Sequence, residues 1–487
     1  MPTKRLAAIT LATAIGLGAL GDHLLRAPLW GLNVALGLIA VAGLGAALGH
    51  FAGASAGDAT TRARWPWLAG GFFAAMWAVR DAPLLLAANL LAALALPCLP
   101  LVPDVTLRAA GVVETVAAPA RAAWHAALGM FRLAPALPPL PAGTVAGTRT
   151  KAIGVGLLLA IPLVLVFGGL FASADPVFGA AVTSLISVDL GQLISHVFLT
   201  GALAWAIAGY LWALANPARG SAIPLRAPAM NGATVLTALA AITLVFTAFI
   251  ATQAGSLFGG EAFIREQTGL TYAEYARRGF FQMLFAAALS LPLVYVAPFL
   301  ADSPDARDTV SLRALMAVQL ALTALVLASA LWRIGLYVRA YGLTEDRLYG
   351  TAVLLWIAAT IGVFVGTVLR SRPQAAAFGT VIAAVVTLAA LNLINPAGFI
   401  ARYNLEHQGR RGVDVAHLSR LGADAVPLLV SSVDDVAAEQ RCSLVEALVK
   451  RHATARGDWR GWSLARARAR DRIGTLESFV RSCAGDN

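Results

Sequence analysis

Charge is what this chain has least of. Asp, Glu, Lys and Arg make up 13% of its 487 residues, against about 25% in a soluble domain. That is too little to coat a water-facing surface, so a soluble globular protein is excluded. Cysteine is nearly missing, with 3 residues and no CxxC pair, which excludes a dense disulfide scaffold or a paired-thiolate metal site. There is no P-loop, HExxH, GxSxG or DxD run, so ATP-driven transport and the known membrane proteases lack support. No basic stripe interleaves with aromatics, and nucleic acid is not an expected partner. No cofactor and no metal is expected either.

Hydrophobic residues fill the space instead: they are 59% of the chain, and the mean hydropathy is +0.73. They come in continuous runs near twenty residues, the helical length that crosses about 30 Å of hydrocarbon. A spanning segment must satisfy its own backbone, and unbroken rather than alternating runs select helices over a barrel. The expected fold is therefore all-α, a polytopic transmembrane helix bundle of about eleven spans. The spans read as 6–24, 29–51, 65–80, 82–103, 152–172, 192–215, 232–257, 279–300, 313–338, 347–369 and 375–395. The third is short and pairs with the fourth as a tight hairpin at Arg80-Asp81; if they merge, the count is about ten. The first run is read as an uncleaved span rather than a signal peptide. Trp30, Trp65, Trp67, Trp212 and Trp332 lie near span ends, where amphipathic rings sit at the interface.

Four segments follow: a four-span part over 1–103, an amphipathic surface helix and Pro/Gly linker over 104–151, a seven-span part over 152–395, and a small soluble helical tail over 396–487. In the tail, apolar residues at helical spacing predict about three or four short helices. Cys442 and Cys483 both lie there. They read either as a disulfide, worth up to about 4 kcal/mol for a loop of this length, or as two free thiols.

The net charge of +11 fits the enrichment of Arg and Lys in cytoplasmic loops. Placing the N-terminus inside collects Lys4, Arg5, Arg62, Arg64, Arg149, Lys151, Arg219, Arg226, Arg370 and Arg372 on one side. An odd span count then puts the tail outside. The expected location is a bacterial inner membrane, with lipid as the surrounding partner and the tail as a site for a protein partner.

A charge at the bilayer centre costs at least about 2.5–3.5 kcal/mol, so polar residues near spans need a reason. Most fall on the outer side: Asp175 in FASADPVF, then Asp189 and His196, two helical turns apart. Tyr272, Glu274, Tyr275, Arg277 and Arg278 follow in TYAEYARRGFFQ. Glu274 and Arg278 share a helix face, and Arg277 projects to another. Arg333, Arg339, Tyr341, Glu345 and Arg347 lie in RIGLYVRAYGLTEDRLYG, and Arg402 in NPAGFIARYN. Arg forks and Tyr hydroxyls suit a phosphate, a carboxylate or a lipid headgroup; they also suit an interfacial network that merely fixes helix ends. Asp175, before Pro176, suits a helix cap as well as an ion ligand.

FASADPVF, TYAEYARRGFFQ, RIGLYVRAYGLTEDRLYG and NPAGFIARYN resemble signature segments of bacterial polytopic membrane proteins grouped as domains of unknown function 4153 and 4173. The resemblance runs from about residue 150 to about residue 430. It implies a multi-span membrane protein and supplies no activity or catalytic residue. Three functions are weighed. A non-catalytic binding or sensing module stands first. A transporter or channel for a small ion or anionic solute stands second, and a membrane enzyme on lipid or envelope precursors third.

Overall fold

The computed structural model describes residues 3–56, 64–101, 112–138, 190–216, 230–258, 279–302, 306–370, 372–407, 413–452 and 457–476, with isolated positions at 160, 164, 171, 174–175 and 479. Most of the expected span at 152–172, and Asp189, Tyr272, Glu274, Tyr275, Arg277, Arg278 and Cys483, lie outside the described residues.

The first eleven described helices are α1 (Thr3–Leu25), α2 (Leu32–Ala56), α3 (Trp65–Ala75), α4 (Pro83–Ala95), α5 (Val112–Leu133), α6 (Leu190–Ala215), α7 (Gly232–Phe258), α8 (Phe280–Leu300), α9 (Ala306–Tyr341), α10 (Glu345–Gly366) and α11 (Gln374–Ile394). The helices α12 (Pro396–Glu406), α13 (Val415–Leu418), α14 (Val426–Ser431), α15 (Ala438–His452) and α16 (Leu464–Gly474) follow among the described residues. The one strand pair among the described residues is two residues long, Met230–Asn231 beside Ala301–Asp302. Eight of the described helices are long and apolar enough to cross a membrane. The protein is an all-α polytopic bundle.

Local chemistry sets the helix ends. Proline opens α3, α4 and α12, where its missing N–H costs nothing. Glu345 and Asp346 occupy the first turn of α10, where carboxylates face the positive end of the helix dipole. Asn395 joins α11 to α12 at φ 57, a left-handed conformation asparagine tolerates, and its Oδ1 accepts from the Gly398 amide. Inside the spans, Thr243, Thr323 and Thr360 return their hydroxyls to the carbonyl four residues back. A lone hydroxyl is thereby satisfied without water.

Two packed groups build the bundle. Helices α7 to α10 enclose the larger core, around Leu239, Val294, Leu320, Ala330 and Leu354. In the other, α1 runs antiparallel to α6: Asp22 meets His196, Gly18 meets Thr200 and Ala204, and Ala7 and Ala14 join a cluster with Ala208 and Trp212. Helix α5 packs along α6 as well, where Trp205 donates to the Ala127 carbonyl at 2.8 Å and meets Phe131 edge-on. Helix α11 bridges the groups; Asn392 and Asn89 of α4 exchange two amide hydrogen bonds at 2.8 Å, both fully buried. Outward-facing Leu244, Phe285 and Leu91 are about 70% exposed, a surface that water disfavours and hydrocarbon accepts.

The tail caps one end of this bundle. Its core, including Leu418, Leu421, Val426, Leu429, Leu444, Leu448 and Ile473, is continuous with Ile400 and Ala401 of α12 and with Leu343 of the α9–α10 turn. Asn404 fixes that turn by accepting from the Leu343 amide at 2.7 Å and donating to its carbonyl at 2.8 Å. The Leu32 amide, at the start of α2, donates to the Trp462 carbonyl at 2.8 Å. The capped end therefore gathers the α1–α2, α3–α4 and α9–α10 turns, the start of α6 and the end of α11. Thr3 lies at the far end of α1, about 34 Å away at 1.5 Å per residue. The start of α1 and the tail thus occupy opposite ends of the bundle.

Candidate functional site

The charged groups at the capped end are organised around the α3–α4 turn. Tight folding between α3 and α4 presents Arg80 and Asp81 side by side. Arg80 donates from Nη1 to Asp424 Oδ1 at 3.1 Å and from Nε to the Asn392 carbonyl at 2.8 Å. The second oxygen of Asp424 accepts from the Asp81 amide at 2.6 Å. Asp81 in turn accepts from Arg466 Nε at 2.9 Å and from the Ala423 amide at 3.4 Å. Arg466 completes its fork on the carbonyls of Gly461 and Trp30. Two ion pairs thus hold the tail to the α3–α4 turn, more than 340 residues away in sequence.

Burial raises the pKa of the Asp424 carboxyl, against the lowering by the Asp81 amide and Arg80. Burial likewise lowers the pKa of the nearby His452, against the raising effect of Asp81. On the water side, the Arg460 guanidinium holds Asp458 below the usual carboxylate range. Arg460 also donates to the His23 carbonyl at the end of α1.

Between tail and bundle lies a cavity of about 320 Å³, lined by Arg80, Asp424, Arg402, Arg468, Ile394 and Phe399, among others. Arg80 is spent on Asp424. Arg402 and Arg468 have no side-chain hydrogen bond or carboxylate partner among the described residues. Three guanidinium groups against one carboxylate leave the cavity electropositive.

The other expected site residues fall into separate groups. His196 pairs through Nδ1 with Asp22, which also takes Arg26 Nε at 2.8 Å, and Arg26 reaches Ser195 at 2.8 Å. Arg347 lies 4.2 Å from the centre of the Tyr337 ring and donates to the carbonyls of Tyr341 and Gly342. Arg333 is buried inside the bundle, where it donates to Gln253 Oε1 of α7 at 2.5 Å. Arg339 is exposed and does not line the cavity. Glu345 sits at the start of α10, and the Asp175 amide closes a turn on the Phe171 carbonyl at 2.9 Å. Cys442 is disulfide-bonded, while Cys483 lies outside the described residues, so the pairing stays a proposal. Among the described residues no three His, Cys, Asp or Glu gather as metal ligands would.

Sequence reasoning places Arg80, Asp81 and Arg402 on this side but misses Asp424, Arg466 and Arg468. The available signal was the Arg-rich stretch SLARARARDR, whose alternate arginines point to two helix faces, and a single Asp in LGADAVP.

No curated protein and no solved structure matches the chain. The family model described as domain of unknown function DUF4153 matches residues 67–432. That stretch begins at α3, earlier than the signature segments, and takes in the α3–α4 turn, the cavity wall from α12 and Asp424. With three quarters of its length under that match, this chain belongs to the DUF4153 family.

Proposed function

We propose that this protein is a non-catalytic membrane module that binds a ligand or partner at the end of the bundle capped by its tail. The observation that carries this reading is the charged junction itself: Asp424 on Arg80, and Arg466 on Asp81. A tail fixed to several inter-span turns converts a change at any of them into a change at its own surface. That is the physical requirement for sensing, since a ligand acts only through a difference between two arrangements. Lipid and a protein partner met through the tail are the occupants this reading implies. The basic residues at the far end support an N-terminus in the cytoplasm of a bacterial inner membrane and a tail beyond it. Reporter fusions at residue 487 and at the N-terminus test the sidedness. Opposite compartments are expected; the same compartment for both rejects the arrangement.

A second reading, transport of a small ion or anionic solute, draws on α9. Gln319, Thr323, Ser329 and Arg333 form one buried polar stripe facing α7 and α8, with Ser290 at 3.0 Å from Thr323. Both side-chain polar atoms of Gln319 are buried with no hydrogen-bond partner among the described residues. Solute flux in proteoliposomes that Gln319→Leu abolishes would favour transport over the binding module.

A further inference from the structure

We propose that the cavity between tail and bundle holds the phosphate group of an anionic phospholipid, gripped by Arg402 and Arg468 with Arg80 behind them. The inference rests on the binding-module reading and adds the chemical class of the ligand.

The charge comes first. Arg80 is neutralised by Asp424, so among the described residues the cavity's unspent positive charge is on Arg402 and Arg468. They belong to different helices, α12 and α16, and face one space. Two planar guanidinium forks converging from separate elements suit an oxyanion with several acceptor oxygens. At about 320 Å³, the cavity is at the small end for a ligand site and suits a headgroup rather than a whole lipid.

The apolar surroundings decide the source of the phosphate. Ile394 and Phe399 form one edge of the cavity, and with neighbouring Leu393 they are 51%, 43% and 74% exposed. These residues end α11 and begin α12, the point where a span leaves the hydrocarbon. A phosphate in the cavity would have its acyl chains lying over this edge, whereas a free anion gains nothing from it. Basic pockets at span ends are where lipid headgroups are held. One wall, α14, falls inside the family match and another, α16 with Arg468, falls beyond it. With Arg80 and Ile394 from the bundle and Arg468 from the tail on its walls, the ligand would stitch the tail to the membrane domain.

The test uses the full chain in nanodiscs of phosphatidylcholine, with and without phosphatidylglycerol, read by native mass spectrometry after extraction. The wild type should retain phosphatidylglycerol. Arg402→Gln and Arg468→Gln should each weaken retention about tenfold, the usual scale for a charge-assisted hydrogen bond. The charge-matched control Arg420→Gln/Lys450→Gln, on exposed tail positions, should retain it. Inorganic phosphate added to phosphatidylcholine discs should not bind measurably; binding that depends equally on Arg402 and Arg468 would make the ligand a soluble phosphate and overturn the lipid assignment. Equal retention by wild type and the Arg402→Gln/Arg468→Gln variant overturns the site. Protease resistance of the tail, measured on the same samples, separates the two levels. An intact tail with unchanged lipid rejects the ligand alone; a tail already loose in the wild type rejects the module.

Discussion

Arg466 donates from Nε to Asp81 Oδ1 at 2.9 Å, tying the tail helix α16 to the turn between α3 and α4. The bond is half of a relay: the Asp81 amide holds Asp424, and Asp424 holds Arg80. Each charge in the relay has an opposite partner and at least one backbone hydrogen bond, the condition under which a desolvated ion pair is tolerated. The relay therefore specifies where the tail docks more than it adds net stability.

Breaking one half should be costly. Asp424→Ala leaves Arg80, 17% exposed, facing a void, at about 3 kcal/mol for an uncompensated charge in a mostly buried pair. The expected result is faster proteolysis within 413–476 while the spans stay helical by circular dichroism. Unchanged cleavage would mean the pair does not hold the tail.

Close backbone approach makes two glycines sensitive. A Cβ at Gly422 would lie 2.6 Å from the Asp81 carbonyl oxygen, and one at Gly31 would lie 2.5 Å from that of Trp462. Backbone cannot yield as a side chain can, so Gly422→Ala and Gly31→Ala should each cost about 1–3 kcal/mol of docking. Gly457→Ala, with nothing among the described residues within 4 Å, should be silent. Thermal unfolding of the three variants, followed by tail protease resistance, ranks them.

The Asn89–Asn392 pair offers a double-mutant cycle in the apolar interior. Each side chain is fully buried and exchanges amide bonds with the other at 2.8 Å. Asn89→Leu or Asn392→Leu strands an amide, and the double replacement strands none, so the double should cost less than the two singles added. A coupling of about 0.6–1.7 kcal/mol is the scale measured for such bonds between membrane helices. Additive costs would show that the amides do not interact.

Acid should loosen the tail through His452. Its pKa is lowered by burial first, with Asp81 raising it and Arg451 lowering it, and its Nε2 is buried with no hydrogen-bond partner among the described residues. A depressed folded pKa contributes stability that is fully present above the unfolded value of 6.5 and is lost as pH falls through the folded pKa. Burial raises Asp424 from 3.8, which works in the opposite direction, so the histidine's share is read from the His452→Leu variant. Tail protease resistance should therefore fall as pH drops below 6.5, and His452→Leu should flatten that fall. A flat profile in the wild type would rule the histidine out.

The fold was largely legible because hydrocarbon imposes a length and a polarity on each segment. The runs at 232–257 and 279–300 match helices Gly232–Phe258 and Phe280–Leu300 within two residues. The hairpin at Arg80-Asp81 also stands where its charges predict a turn. The partners of those charges were not legible. His196 pairs with Asp22, which comes from another helix 174 residues earlier; the spacing that puts Asp189 two turns from His196 says nothing of that partner. Likewise Arg80 finds Asp424 across 344 residues. Helix periodicity reports which residues share one face, and nothing in it says which face of which helix will lie opposite. Arg333 shows the same limit: read at the mouth, it is buried against Gln253.

Oxidative crosslinking between the α1–α2 turn and the tail tests docking most directly. A Cβ at Gly461 would lie 2.8 Å from Leu29 Cβ, so a shift of about 1 Å brings the pair to the Cβ separation of a disulfide, about 3.5–4.5 Å. In native membranes, the Leu29→Cys/Gly461→Cys variant should oxidise to join the peptide carrying residue 29 to the peptide carrying residue 461. Leu36→Cys/Gly461→Cys, with its first cysteine further along α2, should not. If the cysteines at 29 and 461 stay separate and react freely with maleimide under the same oxidation, the tail is not seated on this end of the bundle.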